Sequence, residues 1–183
     1  MSNPDLLPHL RTGTDEESIL AAFAARICEI PKLNNLIVVV SDQPIPEPWP
    51  QGKMCITVSN GNGRFDESAY RGGGSDNLRE TSSVIVAIYI DSKLDRAGRD
   101  EVKTQTIRRW KKWILAYLLK QNPHQQRSQA WEPIVNGKPL LSSQPLPQIS
   151  TAIQDVPDAV GWIGLQLHFE IEFNWDLRIT DGR

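Results

Sequence analysis

The chain has 183 residues, 23% of them charged and 39% hydrophobic, with a formal net charge of −2. That length suits one domain with a substantial core, and the near balance of charge excludes a global attraction to nucleic acid or to an acidic membrane surface. No apolar run, Leu36 to Val40 included, comes near the roughly twenty residues a membrane span needs, and no signal-like segment opens the chain, so a soluble cytosolic protein is expected.

Residues 1–13 contain two prolines and no periodicity and read as a flexible arm. Thr14-Asp15-Glu16-Glu17 then forms a capping box, with the Thr14 hydroxyl accepting from the backbone of Glu17 and the Glu17 carboxylate reaching back. A helix follows whose apolar stripe is Ile19, Leu20, Phe23, Ile27 and Ile30; Pro31 ends it. Small residues at Ala21, Ala22, Ala24 and Ala25 let it lie close on a sheet. Cys28 and Cys55 sit in apolar patterns without CxxC spacing and read as reduced core residues.

Leu36 to Ser41 is apolar on both faces and is expected as a buried strand. Gln43 to Pro50 carries four prolines at alternating positions, which cannot donate to a sheet ladder, so it reads as an extended connector. Stiffening a loop is the plainer role for it, ahead of a PxxP docking ligand. Met54, Ile56 and Val58 mark a second strand, and Val84, Val86, Ile88 and Ile90 a third, which should pair as neighbours.

Between them, residues 60–80 hold five glycines and no apolar period. Loops of that length in compact domains tend to be functional or disordered. A P-loop needs GxxxxGK followed by Ser or Thr, and a dinucleotide fingerprint needs GxGxxG opening a helix; neither is present, so no nucleotide cofactor is expected. The sharper reading is a loop that meets a protein partner through Arg64, Phe65, Tyr70, Arg71 and Arg79.

Asp100 to Gln121 is the second predicted helix, with Val102, Thr106, Trp110, Ile114, Tyr117 and Leu118 as its packing stripe and Pro123 ending it. Arg108, Arg109, Lys111 and Lys112 cluster at its middle. Beside Trp110 and Trp113 they suggest nucleic acid, but no second basic element accompanies them and the chain is net acidic. A solvated helix face, or contact with the acidic strand of a neighbouring subunit, is preferred. Residues 122–148 are rich in Pro, Gln and Ser and read as loop, and Ile149 to Val156 offers one further strand.

The closing strand has the clearest pattern. Leu165, Leu167, Phe169, Ile171, Phe173 and Trp175 alternate with Gln166, His168, Glu170, Glu172 and Asn174, one apolar face and one polar. The charged tail, residues 176–183, is expected to fray. No catalytic constellation emerges. His9, His124 and His168 lack partners at zinc-ligand spacing. Asp91 and Asp95 follow a buried strand, where metal-dependent nucleases place carboxylates, but the spacing matches no calcium loop and a turn with a helix start is preferred.

These elements add up to an α/β (α+β) subunit, a small, mostly antiparallel sheet of about four strands packed with two helices. The helix Glu16 to Ile30, the strand Ser83 to Asp91 leading through Asp95 into the helix Asp100 to Gln121, and the closing strand Gly161 to Trp175 together resemble the tail terminator, or tail-to-head joining, proteins of long-tailed bacteriophages. The resemblance covers most of the chain and rests on element order rather than on a signature motif. It implies a homohexameric ring in the virion, assembled in the host cytoplasm, that caps the finished tail tube and meets a neck or head-completion protein. DNA would pass through without specific binding, and there would be no catalysis, cofactor, metal or membrane. Glu170 and Glu172 become candidates for the lumen face, where they would repel phosphate, and Arg108, Arg109, Lys111 and Lys112 for the subunit contact. Another neck component, such as a stopper, is the alternative in the same class, and a metal-dependent nuclease using Asp91 and Asp95 the alternative in another. Residues 121–148 make the chain longer than the smallest such proteins.

Overall fold

The computed structural model describes residues 15–33, 37–45, 54–65, 77–91, 100–135, 137–157, 159 and 161–176. In chain order these are helix α1 (Asp15–Cys28), a short 3-10 turn (Pro31–Leu33), strands β1 (Ile37–Val40), β2 (Met54–Asn60), β3 (Arg64–Phe65) and β4 (Asn77–Asp91), and helix α2 (Asp100–Leu119). Strands β5 (Ile134–Val135), β6 (Lys138–Pro139), β7 (Leu146–Ser150), β8 (Gln154–Asp155) and β9 (Trp162–Asp176) follow. Thr14, the expected cap of α1, and the arm before it lie outside the described residues, as do residues 46–50 of the proline connector.

The fold is mixed α+β with one helical layer. A seven-stranded sheet runs in the order β1-β2-β4-β9-β7, with β3 added to β4 and β8 to β9. Among the described strands only β1 and β2 pair in parallel; β2 with β4 and β4 with β9 are antiparallel neighbours. The expectation of about four strands undercounts, because β3 and β8 have two residues each and β7 is broken by a bulge, lengths at which no alternation can declare itself. β5 and β6 form a separate small hairpin.

Two strands dominate. β4 and β9 have 15 residues each and pair along their whole length, from Asn77 opposite Asp176 to Asp91 opposite Trp162. At about 3.4 Å per residue each is roughly 50 Å of strand. β4 thus begins well before the expected Val84, and Arg79 lies on a strand rather than in a loop. Leu78, Glu80 and Ser82 face the helices while Arg79, Thr81 and Ser83 face away. Polar residues on both sides hid the strand. Asp176, assigned to the tail, closes β9, and residues 177–183 lie outside the described residues.

Period-two alternation delivers one face of every long strand to the helices. Val84, Val86, Ile88 and Ile90 of β4 join Leu165, Leu167, Phe169, Ile171 and Phe173 of β9, with Ile56 and Val58 of β2, against Ile19, Phe23 and Ile27 of α1 and Ile107, Trp110, Ile114 and Leu118 of α2. Ile107, fully buried, takes a place in the α2 stripe that the sequence reading gave to Thr106, which is half-buried. The segment 122–148 is no free loop. Trp131 packs edge-on against Phe23 at 5.2 Å, and Leu141 is buried in the same core. The Gln121 and Trp131 amides donate to the carbonyls of Gln129 and Leu119, folding the chain back along α2.

Candidate functional site

The face of the sheet turned away from the helices divides into two halves. One half is covered. Cys55, Ala87, Tyr89, Val156 and Trp162 form a second apolar cluster there, with Ile45 and Ala159 packed on it. The Pro44 carbonyl fastens the connector down by accepting from Thr57 Oγ1 at 2.6 Å and from Tyr89 Oη at 2.9 Å. Gly164, opposite Tyr89, lies under its ring, and a Cβ there would stand 2.5 Å from a ring carbon. Burial pushes the Cys55 thiol and the Tyr89 phenol up, each to about 12. Between Tyr89, Gln154 and Gln166 remains a cleft of about 20 Å³, room for one water rather than a metabolite.

The other half is uncovered among the described residues, and it gathers charged residues singled out in the sequence. Because directly opposed residues share a face, Arg64 of β3, Thr81 of β4 and Glu172 of β9 form one row. Ser83, Glu170 and Leu146 of β7 form the next, and His168 stands opposite Ile149. Arg79 pairs with Glu172. The polar face of β9 is therefore not uniformly acidic, since Arg64 and Arg79 share it. Glu170 has no ion pair among the described residues. Phe65, opposite Glu80, is on the helix side and is exposed. Tyr70 and Arg71 lie outside the described residues, so the expected contact loop is represented by Arg64, Phe65 and Arg79 alone, all on strands.

Leu146 and Ile149 are the members of this surface that sequence reasoning missed. They are 49% and 59% exposed. Their spacing of three fits no strand period, but the bulge between Pro147 and Ile149 shifts the register and returns both to the outward face. No pattern in the sequence announces such a bulge.

The second outward surface lies on the opposite layer. Gln105, Arg108, Arg109 and Lys112 form an exposed stripe on α2, opposite the buried Ile107, Trp110 and Ile114. Among the described residues none of the three cations has an ion pair. Lys111 instead turns toward the sheet and donates to Ser150 Oγ of β7 at 2.7 Å. The four basic residues thus split, three outward and one binding helix to edge strand.

A third polar group sits under the start of α1. Glu80 and Ser82 are buried on the helix side, and Gly63 lies so close that a Cβ would meet the Glu80 carboxylate. Burial raises the Glu16 carboxyl, and the Glu80 and Glu17 carboxylates raise it further. Among the described residues the Asn60 and Ser82 side-chain oxygens nearby are buried without a hydrogen-bond partner, as is that of Ser59 on the other face of β2. Three residues, Gly61 to Gly63, oppose two on β4 here, so the strand bulges and side-chain geometry is irregular. Asp91 closes β4 opposite Trp162, and Asp95 lies outside the described residues. Among the described residues no three His, Cys, Asp or Glu side chains converge on a metal position, and no helix is long and apolar enough to cross a membrane. No family model matches the sequence, and no curated protein matches it.

Proposed function

We propose that this chain is a structural assembly protein that forms a ring on the end of a phage tail tube and joins the tail to the neck or head. In this reading it has no chemistry of its own, and no cofactor. Its partners are its own copies, the tube protein on one side and a neck or head-completion protein on the other, with DNA passing through ungripped.

The observation that carries the reading is the division of labour between the two faces of the sheet. The two helices, with Trp131 and Leu141, complete the main core, and Ile45 packs on the second cluster. Half of the outward sheet face and one side of α2 are left open, bearing charges and two exposed aliphatic side chains. Flat, mixed polar and apolar surfaces of this kind suit protein contacts rather than small substrates, which bind in concavities of several hundred Å³. The element order from α1 to β9 also follows the order that carried the resemblance.

Light scattering across a concentration series tests it. A mass near six subunits, with annular particles by electron microscopy, is the expected result. A chain that remains monomeric both alone and with the cognate tail tube refutes it.

A further inference from the structure

We propose that the α2 stripe of Arg108, Arg109 and Lys112 docks onto the open sheet face around Glu170, Leu146 and Ile149 of a second copy of this chain. The inference rests on the ring reading and names the contact that builds the ring.

Three observations lead to it. First, the stripe costs the helix something. Arg108 and Lys112 are like charges four residues apart, Arg109 lies between them, and no acid offsets them among the described residues. Such pairs weaken a helix by a few tenths of a kcal/mol each. Second, Glu170 is a half-buried carboxylate with no cation beside it among the described residues, because Arg79 is engaged with Glu172. Arg64 stands two strands away on β3, roughly 10 Å across the sheet. Third, Leu146 and Ile149 flank the Glu170 and His168 positions and are exposed. Arginine and lysine match this surface in both respects, since their aliphatic stems cover apolar groups while their charged ends reach a carboxylate.

The two surfaces cannot meet within one molecule. α2 lies on one side of the sheet, and Glu170, Leu146 and Ile149 look out from the other. Each copy therefore offers one of each surface, and the contact is head-to-tail. Such an interface propagates and closes into a ring when its rotation permits. The face of β9 assigned from sequence to the lumen becomes, in this arrangement, part of the seam between subunits.

Two complementary charge reversals test the contact. Variant one is R108E/R109E/K112E; variant two is E170R, which turns the β7–β9 side positive. Each alone should weaken association at least about tenfold, the scale of close interfacial charge pairs. An equimolar mixture should regain the native mass, because alternating copies then match at every seam. Circular dichroism and the unfolding midpoint monitor the fold, and the milder R109Q/K112Q and E170Q pair replaces any reversal that fails to fold, with smaller losses expected. An oligomer whose mass ignores both variants, or a mixture of the two charge reversals that does not recover, overturns this contact and leaves the ring standing. A native chain that is monomeric up to its solubility limit at low salt overturns the contact, and monomer persisting on the tube overturns the ring as well.

Discussion

Arg26 is a polar side chain whose removal should be felt strongly. It leaves α1 and ends at the C-terminus of α2, where its guanidinium donates to the carbonyls of Tyr117 at 3.1 Å, Lys120 at 2.9 Å and Gln121 at 2.7 Å. Glu29 pairs with it from the next turn of its own helix. The Tyr117 and Trp131 rings lie 5.3 and 5.9 Å from its carbon. The last carbonyls of a helix lack intrahelical partners and carry its negative pole, so one cation here satisfies three acceptors and the dipole together. A hydrogen bond to a charged group is worth about 1.5–3 kcal/mol, but the three share one guanidinium and part of their gain offsets its desolvation. Arg26→Met, which keeps the stem between the rings, should therefore cost about 3 kcal/mol in urea unfolding with an unchanged denaturant slope. The corresponding fall in melting temperature is about 6–12 °C for a chain of this size. Arg26→Lys keeps the charge but not the fork, and should recover less than half of the loss. A methionine variant within about 0.5 kcal/mol of the native chain would refute the claim that Arg26 locks the two helices, because that is the range of ordinary surface substitutions.

Two further outcomes follow from the covered half of the sheet. Gly164→Ala puts a Cβ 2.5 Å from the Tyr89 ring, and overpacking of this kind should cost about 1–3 kcal/mol in chemical unfolding; combined with Tyr89→Ala the two losses should fall short of their sum, and strict additivity would show that ring and glycine do not interact. The raised Cys55 and Tyr89 groups make stability fall in alkali. Their ordinary values are 9.0 and 10.0 and their folded values about 12, so above the unfolded values the unfolded chain has released protons that the folded chain still holds. The stabilisation is whole below pH 9 and lost as pH rises toward 12, with a slope of up to about 1.4 kcal/mol per pH unit for each group. Unfolding free energies measured across that window should show it, and the Cys55→Ala/Tyr89→Phe variant should flatten it; an unchanged slope in the variant would count against burial as the cause.

How much of this was legible in the sequence depended on whether a residue's neighbour was local. α1, α2 and the apolar side of β9 were visible because their periods run through contiguous residues. The proline connector read as extended chain, but of it only Gln43 to Ile45 is described, in bends, and the two hydroxyl partners of the Pro44 carbonyl come from strands distant in sequence. The polar start of β4 was hidden for a related reason. Glu80 and Ser82 occupy inward positions where alternation calls for apolar side chains, so nothing along the strand set it apart from a polar loop. Trp131 and Leu141 carried no period, so a segment that closes the core looked like loop.

The open face gives the sharpest case. Along β9 alone, Glu170 and Glu172 read as two carboxylates without a counter-ion, and a repulsive lumen was a reasonable expectation. Pairing adds β4 and β3 and brings Arg79 and Arg64 onto the same side, so the electrostatics belong to the sheet rather than to the strand. Burying the exposed parts of Leu146 and Ile149 would contribute only about 1 kcal/mol each, well short of the cost of association. An interface built there must draw on Glu170 and the α2 cations as well, so its strength falls with ionic strength. That dependence is why the association test belongs at low salt, and why closure matters: a subunit in a ring is held at two seams, so contacts too weak to sustain a dimer can sustain the closed assembly.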